Sequence, residues 1–333
     1  MSGAVGITQS IDVSAAVQFQ GPGALIIDDY QKEITDILKR NSVLDARMNY
    51  VPATGDISQY FEQNTLNGGA SVDPRSPSAT ATSNPRTPHG LKIKAMTNQI
   101  NFGHYDILLG RQQAHFAELK AKDLNDMLNA IALHHGKMLW RGTDTNLVTP
   151  TTLQYVGLAK QITNTFVVGI GASIVAAIRA KVAAMMASEL YDSRVSAIYI
   201  NPIAHHYLEE EERLSENNQT QINNLKKTMV AGMEVLGIMT AAGLLPIIPE
   251  PFMPATVNAT RPANTDYGIA IVTESMIEYH YVGEKGIYLF ELGTTGNLQE
   301  QYVGIKYGAP VAKGPSYAHA YGTVERPTII SIG

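Results

Sequence analysis

The 333-residue chain contains no cysteine. Disulfides, thiol nucleophiles and cysteine-ligated metals are excluded together, and the chain suits a reducing compartment. Charge is the second shortage. Asp, Glu, Lys and Arg make up 17% of the residues, against about 25% in ordinary globular proteins, which points to surface covered by other subunits. The net charge is −5, and the cations are scattered rather than gathered into the basic footprint of a sequence-reading nucleic-acid binder. Long apolar runs are missing too. The most apolar window, residues 166–187, is interrupted by Arg179 and Lys181 and keeps a helical period, so it predicts a buried helix and not a membrane span. The first twenty residues have neither the basic region nor the apolar stretch of a secretory signal. No repeat at a period of about 20–50 residues is present, which excludes solenoids and propellers.

What is present is a long helical pattern fed by a long stretch that has no means of building a core. Residues 1–30 are Gly, Ser, Ala and Gln with isolated apolar residues, and Gly21-Pro22-Gly23 breaks any regular element. Residues 31–40 predict a short amphipathic helix with Ile34, Ile37 and Leu38 on one face. Pro52, Pro74, Pro77, Pro85 and Pro88 punctuate the next segment, which is rich in Ser, Thr and Gly; so long a loop is rare in a compact domain unless it serves a purpose. Leu91, Ile93 and Ala95 then alternate with Lys92, Lys94 and Met96, a strand period, so residues 55–105 read as a two-stranded excursion. Because an isolated hairpin is marginal in water, it calls for a partner surface. Residues 100–141 read as one uninterrupted helix in which Phe116, Leu119, Leu124, Met127, Leu128, Ile131, Met138 and Leu139 recur at three- and four-residue steps. If 110–141 are all helical, the rod is roughly 48 Å long.

Further on, Ser173 is placed to cap a helix carrying Ile174, Ile178, Val182 and Met185. The run 196–200, SAIYI, predicts a buried strand, and Asn201-Pro202 an N-cap and first helical position for the helix that follows. Residues 213–227 read as a polar loop and 228–253 as short strands and proline turns. From Tyr267 the pattern is strand after strand: YGIAIVT, MIEYHYV, GIYLFEL and EQYVGIKYG. With helices early and sheet late, the class is α+β.

Candidate chemistry is thin. His205/Glu209 and His206/Glu210 are i,i+4 pairs that can offer two ligands on one helix face, but an exposed acidic face opened by histidines is the simpler reading. Of His134 and His135 in the long helix, one is expected to pack and the other to be solvated. Gly169, Gly171 and Ser173 precede a helix, where an anion can bind, yet neither nucleotide-binding glycine pattern is present and a tight turn is the better reading. Asn218 and Asn258 sit in glycosylation sequons that have no use without a secretory signal. No catalytic, cofactor-binding or metal residue is assigned.

The order of the parts, and four segments in particular, resemble the major capsid proteins of tailed bacteriophages, the HK97-like fold. The segments are TNQINFGHYDILL (97–109), SAIYINPIAHHYLE (196–209), GMEVLGIMTAAGLLPIIPEPFMP (232–254) and GIYLFELGTTGNLQEQYVGIKYGAPVA (286–312). The resemblance implies an N-terminal arm at 1–30 and an extended loop at 55–105. It implies a peripheral domain of 31–54, 106–159 and 283–333 with a spine helix at about 110–141, and an axial domain of 160–282. It implies a non-enzymatic shell protein that self-assembles into pentamers and hexamers of an icosahedral head and encloses double-stranded DNA without sequence-specific contacts. Implied partners are other copies of the chain, a separate scaffolding protein, a portal and a cement protein; the implied location is the virion, assembled in the host cytoplasm. Nothing matches the family's self-crosslinking site, although Lys92 and Lys94 lie in the arm. An encapsulin-like compartment shell is the alternative within the same fold, and a metal enzyme built on His205, His206, Glu209 and Glu210 the alternative outside it.

Overall fold

The computed structural model describes residues 42–63, 65, 66, 68, 71–75, 83–105, 108, 116–189, 191, 194–216, 225–230, 233–294 and 298–329, all within one unit, Arg40–Gly333. The expected arm at 1–30 and the expected helix at 31–40 lie outside these residues.

Helix α1 (Val43–Arg47) leads into strand β1 (Asn49–Pro52). Strands β2 (Ile57–Glu62) and β3 (Thr87–Lys92) pair as a hairpin, and β4 (Lys94–Gly103) precedes the long helix α2 (Phe116–Arg141). Next come α3 (Leu158–Gln161), β5 (Thr165–Val168), α4 (Ile174–Met186), β6 (Ala197–Ile200) and α5 (Pro202–Glu216). The rest is strand: β7 (Leu225–Val230), β8 (Met233–Thr240), β9 (Gly243–Pro249), β10 (Ala255–Val257), β11 (Asn264–Val272), β12 (Ile277–Tyr281), β13 (Tyr288–Thr294), β14 (Gln299–Ala312) and β15 (Ala320–Pro327).

Apart from the β2–β3 hairpin, the strands form two sheets. In the five-stranded sheet, β14 is the central strand. Gly308 lies opposite both Tyr281 and Lys94, so β12 and β13 share one edge of β14 while β4 runs along the other, with β1 parallel to β12 beyond. The eight-stranded sheet has the order β5-β15-β11-β6-β9-β8-β7, with β10 also on β11. Strands β6 and β11 are buried on both faces, which is why their sequences are continuous apolar runs rather than alternating ones. The period of two divides them between two cores. Ala197, Tyr199, Ala270 and Val272 face the core that holds Trp140, Tyr155 and Tyr279. Ile198, Ile200, Ile269 and Ile271 face the core under α4 and α5, with Ile174, Ile178, Val182 and Leu208. Helix α2 crosses β4 and β14 at Gly304, where a Cβ would come within 2.7 Å of the Ile131 side-chain end and 3.3 Å of the Met127 side-chain end, so a larger residue would push both back.

Local signals hold where the chemistry is local. Ser173 accepts from Ala176 N–H at the start of α4, and Asn201 Oδ1 accepts from Ile203 N–H at 3.0 Å ahead of Pro202. The four expected late strands form. Long-range pairing overrides the sequence pattern elsewhere. Residues 100–103 are strand, not helix, because β4 pairs with β14 as far as Gly103; the described helix is 26 residues, about 39 Å. The chain breaks register at Ile93 between β3 and β4, so Met96 and not Ala95 turns inward, the reverse of the alternation that Leu91 begins. Phe166–Val168 form β5 rather than the first turns of a helix. Leu225–Val230, expected to straddle a polar loop, pair with β8. Strand β15 has no counterpart in the sequence reading. The division expected at 282/283 cuts across both sheets: β12 pairs with β14, and β15 with β11. No described helix is long and apolar enough to cross a membrane.

Candidate interaction surfaces

The residues singled out for chemistry do not assemble into a site. His205 Nδ1 lies 3.5 Å from Glu209 and His206 Nε2 3.7 Å from Glu210, two separate pairs on an outer helix face. Burial lowers the pKa of His205, and Glu209 opposes that shift. Among the described residues, no three His, Asp or Glu side chains gather around a point that suits a metal. The helix start after Gly169 and Gly171 is filled from within. The Glu211 carboxylate accepts from Ser173 Oγ and, at 2.8 Å, from Ile174 N–H, so the protein supplies its own anion there. Gly171 has φ +74° and forms the expected turn. His134 is exposed and His135 is 1% exposed, as the helical period implied. Asn258 makes a local turn, its carboxamide oxygen accepting from Thr260 and Arg261 N–H; Asn218 lies outside the described residues. Lys92 pairs with Asp56 at 3.3 Å. Lys94 is engaged more deeply: its ammonium is buried and donates to Asp144 and to the carbonyls of Thr152 and Gln154. Burial pushes the Asp144 carboxyl up, but Lys94 and the Thr145 and Thr151 donors outweigh it and hold it below the usual carboxylate range.

Sequence reasoning missed how α1 is fixed. The Glu250 carboxylate, 0% exposed, accepts from Val43 N–H at 2.9 Å, Leu44 N–H at 3.1 Å and Ser42 Oγ at 3.0 Å. It meets the free N–H groups at the positive end of the helix. Burial raises the Glu250 pKa despite these bonds. Arg47 forms a bidentate pair with Glu274 at 2.6 and 2.8 Å, and Tyr199 donates to the same carboxylate at 2.6 Å. Asp45 accepts from Tyr50 and His135. Glu250 follows β9 and Glu274 follows β11, so α1 is bolted to the eight-stranded sheet, while Tyr50 and His135 tie it to β1 and α2. Each partner of the α1 residues is some 90 to 227 positions away along the chain except Tyr50, which no local pattern reveals.

The surfaces left over are apolar and incomplete. Phe61 on the hairpin is 67% exposed, and Leu66 and Val72 beyond its strands are 61% and 42% exposed. On β13, Leu289, Phe290 and Leu292 are all exposed, so both faces of the strand are uncovered. Strand β13 also ends the sheet along one side, leaving a row of backbone groups unpaired among the described residues. Leu298, 66% exposed with φ +54°, follows at the same end, and His104 N–H donating to its carbonyl brings exposed Tyr105 alongside. Isolated exposed leucines mean little; an apolar hairpin and an apolar edge strand on one chain are features of a subunit finished by neighbours.

No family model and no curated protein matches the sequence. Solved structures do match, over nearly their whole length. A chain from Gordonia phage Cozz aligns with a TM-score of 0.60 at 12% identity, covering 97% of each chain. A chain from the capsid of a native GTA particle gives 0.59 at 12% identity, covering 94% of this chain and 99% of that one. A chain of the SrpI encapsulin complex from Synechococcus elongatus gives 0.52 at 11% identity, covering 96% and 98%. A chain from the capsid of Myoviridae phage XM1 gives 0.55 at 9% identity, covering 91% and 100%, so the chain has the fold found in a phage capsid, a GTA capsid and an encapsulin. At such identities the likeness is one of fold.

Proposed function

We propose that the chain is the major capsid protein of a tailed bacteriophage, built on the HK97-like plan. The observation that carries this reading is the near-complete, two-way coverage by chains from a phage capsid and a GTA capsid, and the exposed apolar hairpin and edge strand agree with it. On this reading the N-terminal arm is 1–30 and the extended loop lies within 55–105, its paired part being 57–62 with 87–92. The peripheral domain takes 31–54, 106–159 and 283–333, with α2 as the spine helix, and the axial domain 160–282. Because β4 and β12 pair with β14, and β15 with β11, we count β4 and β12 with the peripheral side and β15 with the axial side on this reading.

The chemistry of assembly is strand addition and burial of apolar side chains. The hairpin of one copy lies over the next, and modest contacts repeated around a ring add through multivalency. A head-to-tail contact that closes gives pentamers and hexamers, and these close into a shell. The net charge of −5 suits a wall that encloses double-stranded DNA without gripping it. No reaction is assigned. A separate scaffolding protein, a portal and a cement protein are the partners this reading calls for, and the virion is its location.

Electron microscopy and sedimentation of the expressed full-length chain test the proposal. Closed shells or capsomer rings are expected; a chain that stays monomeric at high concentration, with or without co-expressed scaffolding protein, overturns it. The encapsulin structure supports one competing reading, a compartment shell. Particle contents separate the two, because packaged DNA favours the phage head and packaged enzyme favours the compartment.

A further inference from the structure

Between α2 and α3 the chain makes a closed loop, residues 144–155. Its neck is shut by the Thr143–Val156 bridge, by Asp144 N–H donating to the Tyr155 carbonyl at 3.2 Å, and by Gln154 Oε1 accepting from Thr143 N–H and Oγ1. Loops of this shape pack around their own side chains, and the centre of this one is Asp144, which is fully buried. Its two oxygens have different partners. Oδ1 accepts from Thr145 N–H at 2.8 Å and from Thr151 N–H and Oγ1 at 3.1 and 2.9 Å, which joins the two halves of the loop. Oδ2 faces Lys94, the first residue of β4, whose ammonium also donates to the Thr152 carbonyl at 2.9 Å and to the Gln154 carbonyl.

Backbone carbonyls turned toward a buried carboxylate are the donor set of a hard-cation site. Here three oxygens meet the three N–H donors of one ammonium, with the Lys94 side chain 9% exposed and that of Asp144 0%. We propose that Asp144 Oδ2 and the Thr152 and Gln154 carbonyls form a binding site for a primary ammonium ion, with Lys94 as its built-in occupant. The first half of the loop has other anchors. Leu147 packs against the main core and its carbonyl accepts from Lys92 N–H at 2.8 Å, while Asn146 Oδ1 accepts from Val148 and Thr149 N–H. The second half is organised by the ammonium. Without it, a buried carboxylate oxygen and two inward carbonyls have no donor. Water must enter to solvate them, so residues 151–154 open and Leu153, 93% exposed, loses its fixed backbone. A tethered cation also makes the order of the loop independent of the salts around it. The site stands whether or not the chain forms shells.

Lys94→Ala in the unassembled full-length chain tests the site. The readout is chymotrypsin cleavage after Leu153, located by mass spectrometry, because cleavage follows the population of the opened loop. The wild-type chain is expected to resist. In Lys94→Ala the cut is expected to speed up about tenfold or more, as for a buried ion pair that loses one partner. Added n-propylammonium, the fragment that the substitution deletes, then slows it again with a saturable concentration dependence. Tetramethylammonium carries the charge without N–H donors and leaves the fast cut unchanged. Lys94→Met keeps the bulk without the charge; it is expected to be cut fast and to ignore both salts. Wild-type resistance in both variants overturns the inference, as does equal protection by the two salts or none by propylammonium. Where Lys94→Ala does not fold alone, refolding yield replaces cleavage: a gain with propylammonium only supports the site, and equal yields overturn it.

Discussion

The Asp45 carboxylate lies 2.7 Å from Nε2 of His135, across 90 positions of sequence. His135 is 1% exposed and its Nδ1 has no hydrogen-bond partner among the described residues, so the imidazole is neutral and donates to Asp45 through Nε2. Burial pushes its pKa down, and the bond to Asp45 opposes this without overcoming it. Burial likewise raises the Asp45 carboxyl, but His135, Lys306 and Tyr50 together hold it below the usual range. Asp45→Ala strands a buried donor, a loss of about 1–3 kcal/mol, measured by urea unfolding of unassembled subunits. With His135→Leu as the second change, the double variant is expected to lose less than the sum of the singles by at least ~0.5 kcal/mol. Strict additivity is the result that contradicts the pairing.

His319 gives the fold a defined weakness to acid. It is fully buried between Thr273 N–H, 3.3 Å from Nδ1, and the Lys313 carbonyl, 3.1 Å from Nε2. Burial pushes its pKa down to about 4, against the bond to Lys313. The folded-state value is thus below the unfolded one, so the unfolded chain takes up the proton first as pH falls. Stability from this residue is intact above pH ~6.5 and declines by roughly 1.4 kcal/mol per unit toward pH 4, on the order of 3 kcal/mol in all. His319→Gln keeps a neutral polar group and is expected to flatten the pH profile of unfolding relative to the wild-type chain across that window. Identical slopes for the two chains contradict the assignment.

Which parts were legible follows from where their causes lie. Asn201-Pro202 and Ser173 announce helix starts because a side chain two or three residues away satisfies the first N–H groups. Strand β6 and the stretch Tyr267–Val272 of β11 were legible because continuous apolar residues of that length suit a strand buried on both faces. The β4 boundary was not, since residues 100–103 carry helical and strand patterns alike and β14, two hundred residues later, decides between them. Strand β7 was hidden by Lys226, Lys227 and Thr228. The exposed surfaces were half legible: the long uncovered arm was visible in its proline and glycine content, whereas the exposure of Leu289, Phe290 and Leu292 depends on where the sheet ends, which no local pattern carries.

Gly157 and Gly142 test the packing at the end of α2. Gly157 N–H donates to the Gly142 carbonyl at 3.3 Å, and a Cβ on Gly157 would overlap the Trp140 carbonyl and Gly142 N. Neither neighbour is a movable side chain. Gly157→Ala is therefore expected to cost about 1–3 kcal/mol, read as a lower unfolding midpoint. Gly169→Ala serves as the control, because nothing lies within 4 Å of its Cβ position; a change within about 0.5 kcal/mol is expected there. Equal effects at both positions would remove the packing argument.

Phe61 on the hairpin and Leu292 on β13 separate stability from assembly. They are 67% and 59% exposed in the single chain, so Phe61→Ser and Leu292→Ser are expected to alter subunit unfolding by no more than about 0.5 kcal/mol. If these side chains are covered by neighbouring copies, each loses some 1.5–3 kcal/mol of apolar burial per contact. The concentration at which particles form then rises about tenfold or more for either change, and further for the pair. Light scattering against protein concentration reads the threshold, and urea unfolding of the same preparations reads the subunit. A raised threshold with unchanged unfolding places both residues at contacts between copies. An unchanged threshold for both means that the apolar hairpin and the edge strand face solvent in the particle, and the contacts that build it must be sought on other surfaces of the chain.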